Sequence, residues 1–261
     1  MKKEFKLCSL FSGIGGLELG LEAAIPGAVT RWQVEQNDFC RRVLAKHWPD
    51  AERFDDVKTV ELEHIRGCDI LCGGFPCQDI STLNQAGAGL AGARSGLWWE
   101  MHRLISVALP RIVVAENVPA LIGRGLSEVL CALARCGYTC EWDIVSAAAV
   151  GALHRRDRLF VIAWRDAADP SRPRLEKRER KTRERTLPTI AGGDGRPVEP
   201  GICPIIDGVP RELARYRKQA LMALGNAVVP QVAYQVGLRV NEILNGNITD
   251  FQGIRRSGRG V

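Results

Sequence analysis

No stretch of the 261-residue sequence approaches the roughly 18 consecutive apolar residues of a membrane span. The first residues, Met1-Lys2-Lys3-Glu4, run straight into a strand-like segment without a signal-peptide apolar core, so a cytoplasmic protein is expected. A disulfide framework is also lacking. The nine cysteines are odd in number and scattered through apolar segments, which suits reduced thiols. Neither Cys68/Cys72 nor Cys131/Cys136/Cys140 has the spacing of a common zinc finger, so no metal is expected. There is no internal repeat. From Asp166 to about Gly208 apolar residues are scarce, and that stretch cannot form a core unaided.

What is present is ordinary for a globular chain, with 46% hydrophobic and 25% charged residues. The length suits one α/β domain with a small appendage, or two small domains. Net charge is +6, and its placement says more than its sum. Eight basic and three acidic side chains fall between Arg172 and Arg185, and Arg255, Arg256 and Arg259 follow near the end. Such segments suit a polyanion, most simply nucleic acid; the plain alternative is a solvated charged loop.

Taken in order, Lys6 to Phe11 reads as a buried strand, Ser12 to Gly16 as a glycine turn, and Leu17 onward as a helix ending near Pro26-Gly27. Strand, glycine turn and helix open a nucleotide-binding unit, in which the backbone comes close to a ligand at a helix N-terminus. Thr30 to Glu35 reads as a second strand, with its acid about 20 residues beyond the glycines, where such folds hold ribose hydroxyls. Asp38 to His47 reads as a helix capped by Asn37 or Asp38, and Asp55-Asp56-Val57 as a turn near a third strand end. Ile70-Leu71-Cys72 then feeds into Gly73-Gly74-Phe75-Pro76-Cys77-Gln78, a thiol behind a proline at the end of a strand. The glycine-rich segment 79–94 is too long for a simple connection and reads as a substrate-covering loop. An amphipathic helix over 97–105, a buried strand from Arg111 to Val118 with Glu116, a helix from about Leu126 to Arg135 and a strand near 138–145 follow. His154-Arg155-Arg156-Asp157-Arg158 opens onto the apolar run 159–164, and three arginines there imply an anion or acceptor nearby. Gly225 to Pro230 reads as a turn and Pro230 to about Leu244 as a helix.

The set resembles the DNA (cytosine-5) methyltransferase family. The matching blocks are Phe-Ser-Gly-Ile-Gly-Gly (11–16), Gly-Gly-Phe-Pro-Cys-Gln (73–78), Arg-Ser-Gly-Leu-Trp (94–98), Glu-Asn-Val (116–118), Arg-Asp-Arg-Leu (156–159) and Gly-Asn-Ala-Val-Val-Pro (225–230), in the family's order. The resemblance implies a Rossmann-like S-adenosylmethionine-dependent fold with a small, irregular target-recognition domain. It suggests a catalytic and cofactor domain over 1–165, a recognition region over 166–214, a segment over 215–245 returning to the first domain, and a basic tail over 246–261. The implied reaction places a methyl group on C5 of cytosine in double-stranded DNA, by base flipping and a covalent intermediate. Cys77 would be the nucleophile and Glu116 the acid at N3, with a raised pKa; Arg156 and Arg158 would hold the base. S-adenosylmethionine would be held by Phe11, Gly13, Gly15, Gly16, Leu17, Glu35, Gln36, Asp56, Val57, Pro76, Leu97, Asn226 and Val228. Ser81 and Arg94, with Arg172, Arg174, Lys177 and Arg178, would meet DNA. A monomer, with a cognate restriction endonuclease as a further partner, is expected.

Two departures from the family pattern stand out. His154 occupies a place usually held by Gln, and the region between Ala163 and Gly225 is short for a domain that reads bases in the major groove. A short or permissive target site, bound largely through charge, is therefore expected. Two alternatives are a tRNA cytosine-5 methyltransferase and a non-catalytic DNA-binding relative; a nicotinamide-dependent oxidoreductase would leave Pro76-Cys77 and the arginines unexplained.

Overall fold

The structure is a computed structural model and describes residues 4–76, 96–152, 156–165, 219–220 and 222–246. Cys77, Ser81, Arg94, His154 and the basic run with Arg172, Arg174, Lys177 and Arg178 lie outside the described residues, as does the region assigned to target recognition.

The chain opens with β1 (Phe5–Leu10), α1 (Gly16–Ala24), β2 (Ala28–Val34), α2 (Asp38–His47) and β3 (Glu52–Phe54). It continues through α3 (Leu62–Ile65), β4 (Ile70–Gly74), α4 (Gly96–Ala108), β5 (Ile112–Asn117) and α5 (Leu126–Arg135). β6 (Thr139–Ser146), β7 (Asp157–Trp164) and α6 (Pro230–Leu244) complete it. The strands form one seven-stranded sheet in the order β3-β2-β1-β4-β5-β7-β6. β1 to β5 are parallel, and β7 runs antiparallel to both neighbours. Runs such as ILCGG and IVVAEN are apolar on both faces, as strands covered on both sides must be. Trp98, Met101, Val129 and Leu133 of α4 and α5 cover one face; Leu17, Leu21, Val236 and Val240 of α1 and α6 cover the other. Strand order reverses between β1 and β4, so a crevice opens at their carboxyl ends, the place where such sheets bind ligands. This is the Rossmann-like architecture expected from the sequence.

Most expected elements are found, with instructive differences. Asn37 is the cap of α2, its Oδ1 accepting from Cys40 N at 3.2 Å. The glycines after Cys72 belong to β4 itself, because a Cβ on Gly73 would lie 2.7 Å from the Leu10 carbonyl oxygen on the neighbouring strand. Gly225 and Asn226 close a helical segment over 222–226 rather than open a turn.

α6 returns to the first helix of the chain. The crossing is close because glycines meet it on both sides: a Cβ on Gly237 would lie 2.6 Å from Ala24 Cβ, and one on Gly20 would lie 2.5 Å from the Pro230 carbonyl. Gly237→Val should therefore force the helices apart and destabilise the fold by about 1–3 kcal/mol. A lower denaturant midpoint with an unchanged slope would register this; an unchanged midpoint would refute the crossing.

Candidate active site

The turn after β1 is held in an unusual backbone shape. Phe11 and Gly13 both have φ of 56°, and Gly15 has 88°. For Phe11 this left-handed conformation is strained and persists because its surroundings fix it. Ser12 N donates to the Val34 carbonyl at 3.1 Å, and the Gly13 N–H donates to Glu35 Oε2 at 2.7 Å. Glu35 Oε1 accepts from Asn37 N, also at 2.7 Å. Glu35 thus ties the turn after β1 to the turn after β2, and each carboxylate oxygen keeps a second lone pair.

The three glycines of this turn do different things. Nothing lies within 4 Å of a Cβ placed on Gly13, so its backbone faces open space. A Cβ on Gly15 would strike the Trp48 ring, and one on Gly16 would strike the Val228 carbonyl. Gly15 and Gly16 allow close packing, and Gly13 alone of the three leaves an approach free.

Beyond β3, Asp56 caps a short 3₁₀ turn, Val57–Thr59, accepting from Lys58 N at 2.9 Å, and Val57 is buried. Arg103 of α4, which sequence reasoning did not single out, fastens this turn. Its Nη2 and Nη1 donate to the carbonyls of Val57 and Val60 at 3.0 and 3.1 Å, and its Nε donates to Glu100 at 2.7 Å. Leu97, at the start of the same helix, is half-buried against the core. Gln36 and Pro76 are exposed.

Glu116 stands at the end of β5, in register with Gly74 of β4 and next to β7. Arg158 Nε lies 2.9 Å from Glu116 Oε1. Burial nevertheless pushes the Glu116 carboxyl up from its ordinary value; the positive charges of Arg158 and then Arg156 only partly offset it. Gly74 leaves room for this acid, since a Cβ there would lie 2.6 Å from Glu116 Oε2 and would make the carboxylate shift. Asn117 turns the other way. Its Nδ2 donates to the Phe75 carbonyl at 3.0 Å, fixing the backbone two residues ahead of Cys77. Arg156 is placed differently from its expected partner. Its Nη1 donates to the Gly225 carbonyl at 2.6 Å, joining the start of β7 to the segment before α6.

One cavity unites these parts. Phe11, Gly13, Leu17, Gly74, Glu116, Asn226 and Val228 are among the residues that line it. The structure thus brings together Phe11, Gly13, Leu17, Asn226, Val228 and Glu116, with Arg158 against the acid. Glu35 abuts the cavity through Gly13, while Asp56 and Val57 form a neighbouring turn.

Comparison with known proteins agrees with this arrangement. Residues 5–195 match the C-5 cytosine-specific DNA methylase family. The type II methyltransferase M2.BsuMI of Bacillus subtilis is 36% identical over 168 residues, covering 60% of this chain and 41% of that protein. M.NgoFVII of Neisseria gonorrhoeae is 31% identical over 166 residues, covering 61% and 44%. Among solved structures, a DNA modification methyltransferase encoded within a prophage of E. coli superposes with a TM-score of 0.51 at 28% identity, covering 62% of this chain and 47% of that one. Spodoptera frugiperda DNMT2 shares the fold, with a TM-score of 0.55 at 17% identity. The chain spans less than half the length of these curated relatives. With the glycine turn, the buried acid and the paired arginine in place, and the match covering most of the sequence, the chain belongs to the C-5 cytosine-specific DNA methylase family.

Proposed function

We propose that this protein transfers a methyl group from S-adenosylmethionine to C5 of cytosine in double-stranded DNA, with Cys77 as the nucleophile. The observation that carries the proposal is the cavity lined both by the glycine turn at Phe11 and Gly13 and by the partly buried acid Glu116. The residues present fit the cofactor. Gly13 leaves room for a ligand beside the backbone and the Glu35 carboxylate lies next to it; the Val57 turn is proposed for the adenine. When bound there, S-adenosylmethionine supplies an electrophilic methyl group.

The chain's own groups do the rest. Cytosine C5 is a poor nucleophile until C6 has been attacked. The Cys77 thiolate adds to C6, and Glu116 gives its proton to N3, so the electron pair released from the ring double bond makes C5 enamine-like. Once C5 is methylated, loss of its proton, departure of the thiolate and return of the N3 proton to Glu116 restore the neutral aromatic ring and the acid. Arg158 pairs with Glu116, and its proposed role is to hold the base oxygen. The base must leave the duplex to reach this cavity, and unpairing costs a few kcal/mol, which DNA contacts have to offset. Ser81, Arg94 and the basic run with Arg172, Arg174, Lys177 and Arg178 are proposed for those contacts, with Arg156 holding the segment at Gly225 against the clamp. A cytoplasmic monomer acting on the nucleoid, beside a restriction endonuclease, completes the proposal.

Incorporation of labelled methyl groups tests it. Purified protein with S-adenosylmethionine should label cytosine C5 in duplex DNA and leave tRNA unlabelled. Label in tRNA and none in DNA would overturn the substrate assignment, and label in neither would overturn the activity.

A further inference from the structure

Glu18 takes no part in the chemistry above, yet it is a fully buried carboxyl in the first turn of α1, directly behind the glycine turn. The periodicity of Leu17, Leu19 and Leu21 would place leucines inward, but Leu19 is 53% exposed and Glu18 is 0% exposed. Strand register explains what the carboxyl faces. Ser9 of β1 is paired with Gln33 of β2 on one side and with Cys72 of β4 on the other. Side chains in register share a face, so these three form a polar row across the sheet beneath α1, each no more than 1% exposed.

Ser9, Ser12 and Gln33 bear on the Glu18 carboxyl. Among the described residues, neither Glu18 oxygen reaches a partner at hydrogen-bond geometry, nor does either side-chain polar atom of Gln33. Ser12 Oγ lies within hydrogen-bond reach of Ser9, 2.9 Å from its Oγ and 3.3 Å from its carbonyl oxygen. Ser12 lies between Phe11 and Gly13, so this bond pins the strained part of the turn that lines the cavity.

We infer that Glu18 is a positioning residue for the methyl-donor pocket: in its neutral form it leaves the Ser12–Ser9 bond in place, and in its ionised form it draws the Ser12 hydroxyl to itself and loosens the turn at Phe11–Gly13. This rests on the reading of that turn as the donor site. A neutral carboxyl needs fewer donors than a carboxylate, and the row beneath it supplies few. Burial pushes Glu18 up to about 7, opposed only by its neutral neighbours Ser9, Ser12 and Gln33 and its own backbone N–H. From β4, the Cys72 thiol is itself pushed up by burial and faces Glu18 uncharged. Glu22, one turn along α1, accepts from Thr30 N and Trp48 Nε1. From α6, Arg239 pairs with Glu141 and Glu242. No cation is directed at Glu18 from these elements.

The sign of the effect follows. Donor affinity is highest where Glu18 is neutral and falls as pH rises through about 7. By linkage, donor binding near that pH must take up protons. Calorimetric titration of the whole protein with S-adenosylmethionine from pH 6 to 8.5 should show affinity falling about five- to tenfold. Repeats in buffers of different ionisation enthalpy should show proton uptake. Glu18→Gln, and separately Ser12→Ala should the first fail to fold, should bind with pH-independent affinity and without the uptake. A flat wild-type profile, or a slope retained in both variants, would overturn the role of Glu18. Absence of donor binding at every pH would overturn the donor-site reading beneath it.

Discussion

Glu116→Gln is expected to lower methyl transfer by about 10²–10⁴-fold, the usual contribution of a positioned general acid. The substitution keeps the size of the side chain and its hydrogen bond to Arg158 but removes the proton that N3 needs. The pH profile should change with it. Burial raises the Glu116 pKa against the pull of Arg158 and Arg156, so the wild type holds its proton further toward neutrality than an exposed glutamate would. Its transfer rate should fall as pH rises through that raised value, and the Gln variant should lose this limb. Stability moves in the same sense. The unfolded chain releases this proton first, so between the unfolded and folded pKa values the folded state loses stability with rising pH, a slope that Gln abolishes. Gly74→Ala offers an independent route to the same loss, because the added Cβ displaces Glu116 Oε2 without touching its chemistry. Single-turnover rates across pH would decide the matter; a Gln variant as fast as the wild type removes Glu116 from the reaction.

Cys77→Ala should be more severe, on the order of 10⁴-fold or more, because no other group replaces the bond to C6. The argument from position is that β4 ends at Gly74, opposite Glu116, and that Asn117 Nδ2 grips the Phe75 carbonyl two residues before the thiol. Glu116 and the segment that leads to Cys77 therefore follow adjacent parallel strands that end at the same edge of the sheet. DNA affinity should survive the substitution, since phosphate contacts supply most of it. Gel-shift titration alongside methyl incorporation separates the two effects. Residual transfer near the wild-type rate would reassign the nucleophile, and loss of DNA binding would point to a structural role for Cys77.

The elements that could be read directly were those whose signals are local. α5 runs from Leu126 to Arg135 and α6 from Pro230 to Leu244, as their apolar periodicity and the proline at the start of α6 indicated. Glu35 and Glu116 stand at strand ends after apolar runs, and Arg158 at the start of β7 before one, as the sequence foretold. What escaped was set by approach between distant segments. Gly15 and Gly16 look alike in a glycine-rich turn, but Trp48 and Val228 decide what each one does. Arg103 is an ordinary amphipathic-helix arginine until the Val57 and Val60 carbonyls come within its reach. Glu18 reads as a polar position between leucines, and only the packing of α1 against the sheet and α6 turns it inward. Arg156 is bonded to the Gly225 carbonyl, a partner 69 residues away that no local pattern announces.

The close crossing of α6 on α1 has a consequence for the order in which the protein is made. By residue 165 a ribosome has delivered every strand of the sheet, together with the acid, the thiol and the glycine turn. The donor pocket is still open along one side at that stage, because Asn226 and Val228 have yet to be synthesised. Gly20 and Gly237 let the last helix settle onto the first, and that step alone brings the missing wall into place. The lining of this cavity is thus completed only after the whole seven-stranded sheet has been made.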